Sequence, residues 1–270
     1  MKTIHLKHRN TMLALFSLIA IASVTTACTT SDTSPVSTMP TATALAVEAL
    51  SVDEAADENT ADFTVVDEEG STEINNDALH EHILQNPDAV LTDVEIEGLL
   101  FMREEEKLAR DVYLTLYDLW QMNIFRNISR SEQTHADAVK VLLDQFGLED
   151  PMSSDVVGVF ENQDLQALYD SLIATGSQSL RDALLVGAAI EEIDILDLEE
   201  YINQTSNVDI QLVYENLTKG SRNHLRSFVS VFEKQTGETY LPQYMSEEAF
   251  QLIIDAAMES GGQGGRNQTP

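Results

Sequence analysis

The chain has 270 residues, 46 of them acidic against 15 basic, and a single cysteine. The length allows one domain of about 150 to 200 residues with appendages, or two small ones, and a lone cysteine excludes an internal disulfide scaffold. A net charge of -31 argues against nucleic acid as a partner, because affinity there comes chiefly from lysines and arginines neutralising phosphates; it suits high solubility, attraction of cations or a saline habitat.

In chain order, Lys2, Lys7 and Arg9 lead into an apolar run from Met12 to Val24, then Thr25, Thr26, Ala27 and Cys28. The run is short for a bilayer span and has the design of a secretory signal, so residues 1–27 are expected to be removed. Cys28 stands where bacterial lipoproteins are cleaved and acylated, which makes it the expected lipid attachment point and the cell envelope the expected location. Thr25 replaces the usual leucine, and ordinary secretion with a free thiol is the competing reading. Residues 28–90 are expected to form an acidic, disordered linker: from Thr29 to Val90 there are 14 acidic residues and no lysine or arginine, with too little branched or aromatic surface to offset ordering entropy. Within it Asn76 to Leu84 reads as a short helix. His80 and His82 there read as solvated linker histidines rather than metal ligands.

From Leu91 onward apolar residues recur at spacings of three and four, which predicts an all-α domain over residues 91–260. Thr92-Asp93-Val94-Glu95 is a capping-box sequence for a first helix running to about Gln121. Ser129-Arg130-Ser131-Glu132 is a second such sequence, for a helix ending at Phe146 before Gly147. A long connection, Leu148 to Gln178, holds a small helix from about Asp164 to Ala174. A third long helix spans about Ser179 to Asn203, a fourth Asp209 to Gln235 before Gly237, and a last one Glu247 to Glu259 before a flexible tail, 261–270. Four long helices with a long crossover between the second and third is the layout of ferritin-like bundles.

Each apolar stripe carries an ionisable residue where a leucine is expected. The first helix places Glu106 and Tyr113 on its stripe, the second Glu132 and His135, the third Glu191 with Asp194 one turn beyond, and the fourth Ser221 and His224. Buried carboxylates converging on one core require protons, cationic partners or a metal, and carboxylates with imidazoles suit iron or manganese, with zinc also open. Only two histidines follow residue 90, and both lie on these stripes. The competing readings are that Glu132 is merely the reciprocal partner of a Ser129 capping box, that His135 is a hydrogen-bonded core histidine, and that Tyr113 is packing. Glu104 and Glu105 read as a solvated helix face. Gly220 inside the fourth helix costs about 1 kcal/mol relative to alanine, which a close neighbouring helix or a local break would explain.

Glu106 to Tyr113 resembles the Glu-x6-Tyr of the first helix of rubrerythrins and bacterioferritins, and Glu132-Gln133-Thr134-His135 resembles their Glu-x-x-His. Residues of about 91 to 260 resemble an uncharacterised ferritin-like family, domain of unknown function 2202, in Glu104 to Tyr113, Ser131 to His135, Glu191 to Asp194 and Gly220 to Leu225. The resemblance implies a helical bundle with a site for two metal ions, usually iron; the ligands expected here are Glu106, Glu132, His135, Glu191 and His224, with Asp194 to make up the count. The pattern departs at Ser221, where a second Glu-x-x-His would have glutamate: either Asp194 or Glu192 completes the ligands, Asp194 being on the better face, or the site holds one ion. Three functions remain open: ferrous-iron oxidation or reduction of peroxide or dioxygen, metal binding without turnover, and a surface interaction domain with a decayed site. No redox partner is legible, and a homodimer is compatible with the pattern.

Register is the strictest requirement. Glu191 and Ser221 each lie about 12 residues, roughly 18 Å, from their turn and should face each other. Glu106 lies roughly 22 Å from the end of its helix, so a second helix starting at Ser129 needs residues 122–128 extended over about 20 Å, and one starting near Asn123 is expected to break the match.

Overall fold

A computed structural model describes residues 61–83, 90–152 and 154–262. The protein is mostly helical. Two short strands, β1 (Thr64–Val66) and β2 (Thr72–Ile74), precede α1 (Asn76–Ile83); then come α2 (Asp93–Trp120), α3 (Asn123–Phe146), α4 (Gln163–Gly176), α5 (Leu180–Gln204), α6 (Val208–Thr236) and α7 (Glu247–Asp255). The signal-like run and Cys28 lie outside the described residues. No helix among the described residues is long and apolar enough to cross a membrane.

Helices α2 and α3 form one hairpin and α5 and α6 another; the two meet through α2 against α5 and α3 against α6, while α4, in the crossover, packs on α2 and α5. Local chemistry starts and stops each one. Thr92 caps α2 with the full capping box to Glu95, Ser179 caps α5 through Asp182 N, and Asn207 caps α6 through Asp209 N and Ile210 N. Gly147 and Gly237 end α3 and α6 in the left-handed conformation.

The second long helix starts earlier than its sequence suggests. Gln121, at φ 53°, turns the chain out of α2, and α3 begins at Asn123 with Met122 as an N-cap that makes no side-chain bond. Ser129 is inside the helix, its Oγ donating to Arg126 O, so Glu132 is not the partner of a cap. The early start nevertheless leaves the register intact. From the turn, Glu106 is about 21 Å back and His135 about 18 Å forward, so the two meet at nearly one height and no extended segment is needed.

The acidic segment assigned to a linker is folded over residues 61–83. β1 and β2 pair antiparallel, Val65 opposite Glu73 and Val66 opposite Thr72. Gly70 closes the turn at φ 83°, where a side chain would also run into Ser227 and Met258. Asn216 on α6 pins the start of β1, accepting from Phe63 N at 2.9 Å and donating to Ala61 O at 3.2 Å. Thr134 Oγ1 on α3 accepts from Ile74 N at 2.8 Å, and Ser71 Oγ meets Ser131 Oγ at 2.6 Å. β2 thus packs on α3 and α6, and Ile74, Leu79 and Ile83 join the apolar core with Leu99, Met102, Val139 and Leu217. His82, on α1, packs edge-on against Phe63.

Nor is the Glu104–Glu105 face solvated. Both residues are buried: the crossover covers Glu104, which accepts from Glu161 N and Asn162 N, while Glu105 meets Asp197 of α5. Nearby, buried Lys107 donates to Val156 O and Val159 O and pairs with Asp111. The last helix is shorter than expected, ending at Asp255.

Candidate metal centre

Where the two hairpins face each other, α2 supplies Glu106, α3 Glu132 and His135, α5 Glu191 and Asp194, and α6 Ser221 and His224. All seven are buried. Glu132 lies between the imidazoles: its Oε2 is 2.9 Å from His135 Nδ1 and its Oε1 is 2.9 Å from His224 Nδ1. Glu106 Oε2 is 3.5 Å from His135 Nδ1, and Glu191 Oε2 is 3.5 Å from His224 Nδ1. The two rings stack with centroids 5.4 Å apart. Asp194 accepts a hydrogen bond from Ser221 Oγ through Oδ2.

These approaches are short but lie off the hydrogen-bond directions. Both Nδ1 atoms, both oxygens of Glu106, Oε1 of Glu132 and Oδ1 of Asp194 are buried without a hydrogen-bond partner. Orphaned polar atoms in a core are costly and rare. Here they cluster, and ligand atoms of Glu132, His135 and His224 all lie within 4.8 Å of one another. Donors that converge on a common space rather than on each other form the arrangement a cation requires, and the carboxylate–imidazole set suits iron or manganese.

The protonation energetics describe a site short of positive charge. Burial pushes Glu106 up to about 7, His135 pulling it back and Glu132 adding to the rise. Glu191 also rises to about 7, through burial and the charge of Glu132. Burial and the charges of Glu106 and Glu132 lift Asp194 well above the usual range. Glu132 resists its burial and falls, because two imidazoles flank it. Against burial, Glu132 and Glu106 raise His135, and Glu132 and Glu191 raise His224 to about 9. Next to the centre, Glu105 is driven well up by burial and by Asp197 and Asp194, and Asp197 to about 7, the two sharing a hydrogen bond.

Of the six residues singled out as ligands, Glu132, His135 and His224 form the close group, Glu106 and Glu191 each approach one imidazole, and Asp194 meets Ser221. Glu192 is not among them. It faces the C-terminal segment, accepting from Tyr240 Oη at 2.6 Å, Tyr244 N at 2.7 Å, Gln243 N at 2.9 Å and Met245 N at 3.0 Å. Tyr113 is more than packing, since its hydroxyl donates to Glu191 Oε1 at 2.6 Å. Gly220 is explained by the His135 ring: a Cβ there would sit 2.6 Å from Cε1 and 2.7 Å from Nε2.

Periodicity could not reveal the support behind the histidines. Thr72 O lies 2.8 Å from His135 Nε2, and Thr72 N donates to His224 Nε2 at 3.2 Å. Backbone contacts of this kind carry no side-chain signal; the only trace is the short β-branched pattern around Gly70.

The uncharacterized protein MJ0754 of Methanocaldococcus jannaschii is 52% identical over 181 residues, which make up 67% of this chain and 97% of that protein. The crystal structure of hypothetical protein MJ0754 from Methanococcus jannaschii covers 64% of this chain and 98% of its own, at 53% identity and a TM-score of 0.62. Residues 95–257 match the family described as Uncharacterized protein domain (DUF2202), and the chain belongs to that family.

Proposed function

We propose that the protein is a ferritin-like metalloprotein whose helical core holds up to two iron or manganese ions on Glu106, Glu132, His135, Glu191, Asp194 and His224. The observation that carries this reading is the convergence of buried, unpartnered carboxylate and imidazole atoms on one space. Bound iron would supply redox capacity for oxidising ferrous ion or reducing peroxide or dioxygen. The chain's own residues hold and orient: Glu132 reaches both halves, Tyr113 fixes the Glu191 carboxylate, Ser221 fixes Asp194, and the apolar core around Leu99, Met102 and Val139 excludes water. Ser221, a hydroxyl where a second bridging carboxylate would stand, favours a second reading in which the ion is held without turnover.

We propose in addition that the chain is exported and anchored to a membrane through a lipid on Cys28. This rests on the sequence pattern of residues 1–28 alone.

Elemental analysis of the protein produced with iron and manganese supplied tests the first proposal. Metal should accompany the chain, and Glu132→Ala with His135→Ala should remove most of it. A metal-free protein that binds no added ion would refute it. Peroxide consumption and ferrous-ion oxidation by the loaded protein separate turnover from holding.

A further inference from the structure

We propose that Asn223 and Glu259 are positioning residues of the metal centre: they clasp the C-terminal segment over the β-hairpin, the hairpin in turn seats both imidazoles, and opening the clasp frees a bound divalent cation without altering any ligand. This rests on the metal reading above.

The contacts start at one side chain. Asn223, fully buried on α6 directly before His224, uses both N–H groups and both lone pairs of its carboxamide. Its Nδ2 donates to Glu259 O and to Thr72 Oγ1, both at 3.0 Å, and its Oδ1 accepts from Glu259 N and Arg226 Nη1, both at 2.9 Å. The Glu259 carboxylate is gripped at both oxygens by Arg222, at 2.8 and 2.6 Å, the two-pronged geometry that gives arginine pairs their strength. Arg226 shares that carboxylate at 3.2 Å and donates to Ile253 O at 2.8 Å. One face of α6 therefore fixes the chain on either side of Met258.

The segment so held closes over the hairpin. Met258 lies against the turn, where a Cβ on Gly70 would sit 2.7 Å from its Cε, and Gly261 passes so close to β1 that a side chain there would run into Thr64 O and Val66 N. A two-stranded hairpin is marginally stable by itself, and these strands are three residues long. Held against α3 and α6, β2 places Thr72 O 2.8 Å from His135 Nε2 and Thr72 N 3.2 Å from His224 Nε2. Both rings are thereby backed by one residue's peptide groups, with each Nδ1 turned to Glu132. In metal sites the groups behind an imidazole fix its orientation, and losing one typically costs about ten- to a hundredfold in affinity.

Cobalt is the probe, because its visible absorption reports ligand geometry. Its release from the loaded full chain is followed after adding excess chelator, beside hydrogen exchange at the Thr72 amide. Asn223→Ala and Glu259→Ala should each speed release about tenfold or more and accelerate Thr72 exchange, and Asn223→Ala should change the cobalt bands at full loading. Glu192→Ala controls for lost stability, since it frees Tyr240 to Met245 and leaves the clasp; its folded protein should keep the bands and release rate of the unsubstituted chain. If Asn223→Ala fails to fold, Glu259→Ala decides. Release that stays slow in the clasp variants, Thr72 exchange that does not accelerate, or release equally fast in Glu192→Ala overturns the proposal. If cobalt, iron, manganese and zinc all fail to bind the unsubstituted chain, the metal reading falls and the clasp's role with it, whereas firm binding with unaltered release removes the clasp's role alone.

Discussion

Gly220 shows how tightly single positions are set around the centre. Gly220→Ala gains about 1 kcal/mol in helix propensity, yet the new methyl must displace the His135 ring from 2.6 Å, and overpacking of this kind costs about 1 to 3 kcal/mol. The expected result is a small net loss of thermal stability together with clearly weakened metal binding, read by melting curves and metal titration side by side. A second comparison separates the two acidic neighbours on α5. Asp194→Ala should lower metal content with modest loss of stability. Glu192→Ala should do the reverse, because it strands one hydroxyl and three peptide donors; a loss of about 3 to 5 kcal/mol is expected, with metal content unchanged in the protein that remains folded. These residues were legible to different degrees. Glu106, Glu132, His135, Glu191 and His224 stand out because each interrupts an apolar stripe at helical spacing. Glu192 does not separate from Asp194 by spacing alone, since both are buried and only the neighbour each one meets tells them apart.

At the scale of elements, the long helices are read from capping boxes, terminal glycines and periodicity, and the structure departs only at their ends. Pattern places the start of α3 too late because Ser129 to Glu132 has the composition of a cap while lying one and a half turns inside a helix, and the true turn at Gln121 and Met122 has no side-chain signature. The hairpin is hidden in the sequence for another reason. Its strands are three residues long, and the surrounding acidity argues for a solvated chain. What orders it is burial of Thr64, Thr72 and Ile74 against helices distant in sequence, which local pattern does not report. Asn216→Ala removes the side chain that holds both Phe63 N and Ala61 O. About 1 to 2 kcal/mol of stability should be lost, and hydrogen exchange at the Thr72 amide should accelerate more than exchange in the middle of α2 or α5; equal acceleration everywhere would show that the hairpin does not open separately.

For the whole molecule, the charge of -31 and the centre are distinct matters. Most acidic residues give solubility and draw cations towards the surface, while the few buried ones need positive charge to remain ionised. Export is testable independently of metal: Cys28→Ser should abolish incorporation of labelled fatty acid and release the chain from the membrane fraction, and incorporation that persists would remove Cys28 as the attachment point. Neither result depends on the helical core.

The Thr72 contacts to the imidazoles are made by peptide groups. Position 72 can therefore take another side chain of threonine's size while the contacts persist: Thr72→Val would give up only the hydroxyl's bonds, to Asn223 and the Gly70 carbonyl. Relatives compared letter by letter would undervalue this position, because what must be inherited is the path of a strand rather than a residue. An insertion or deletion in the Asp67–Gly70 turn, harmless by the usual standards of surface loops, would slide the wrong amide beneath His224.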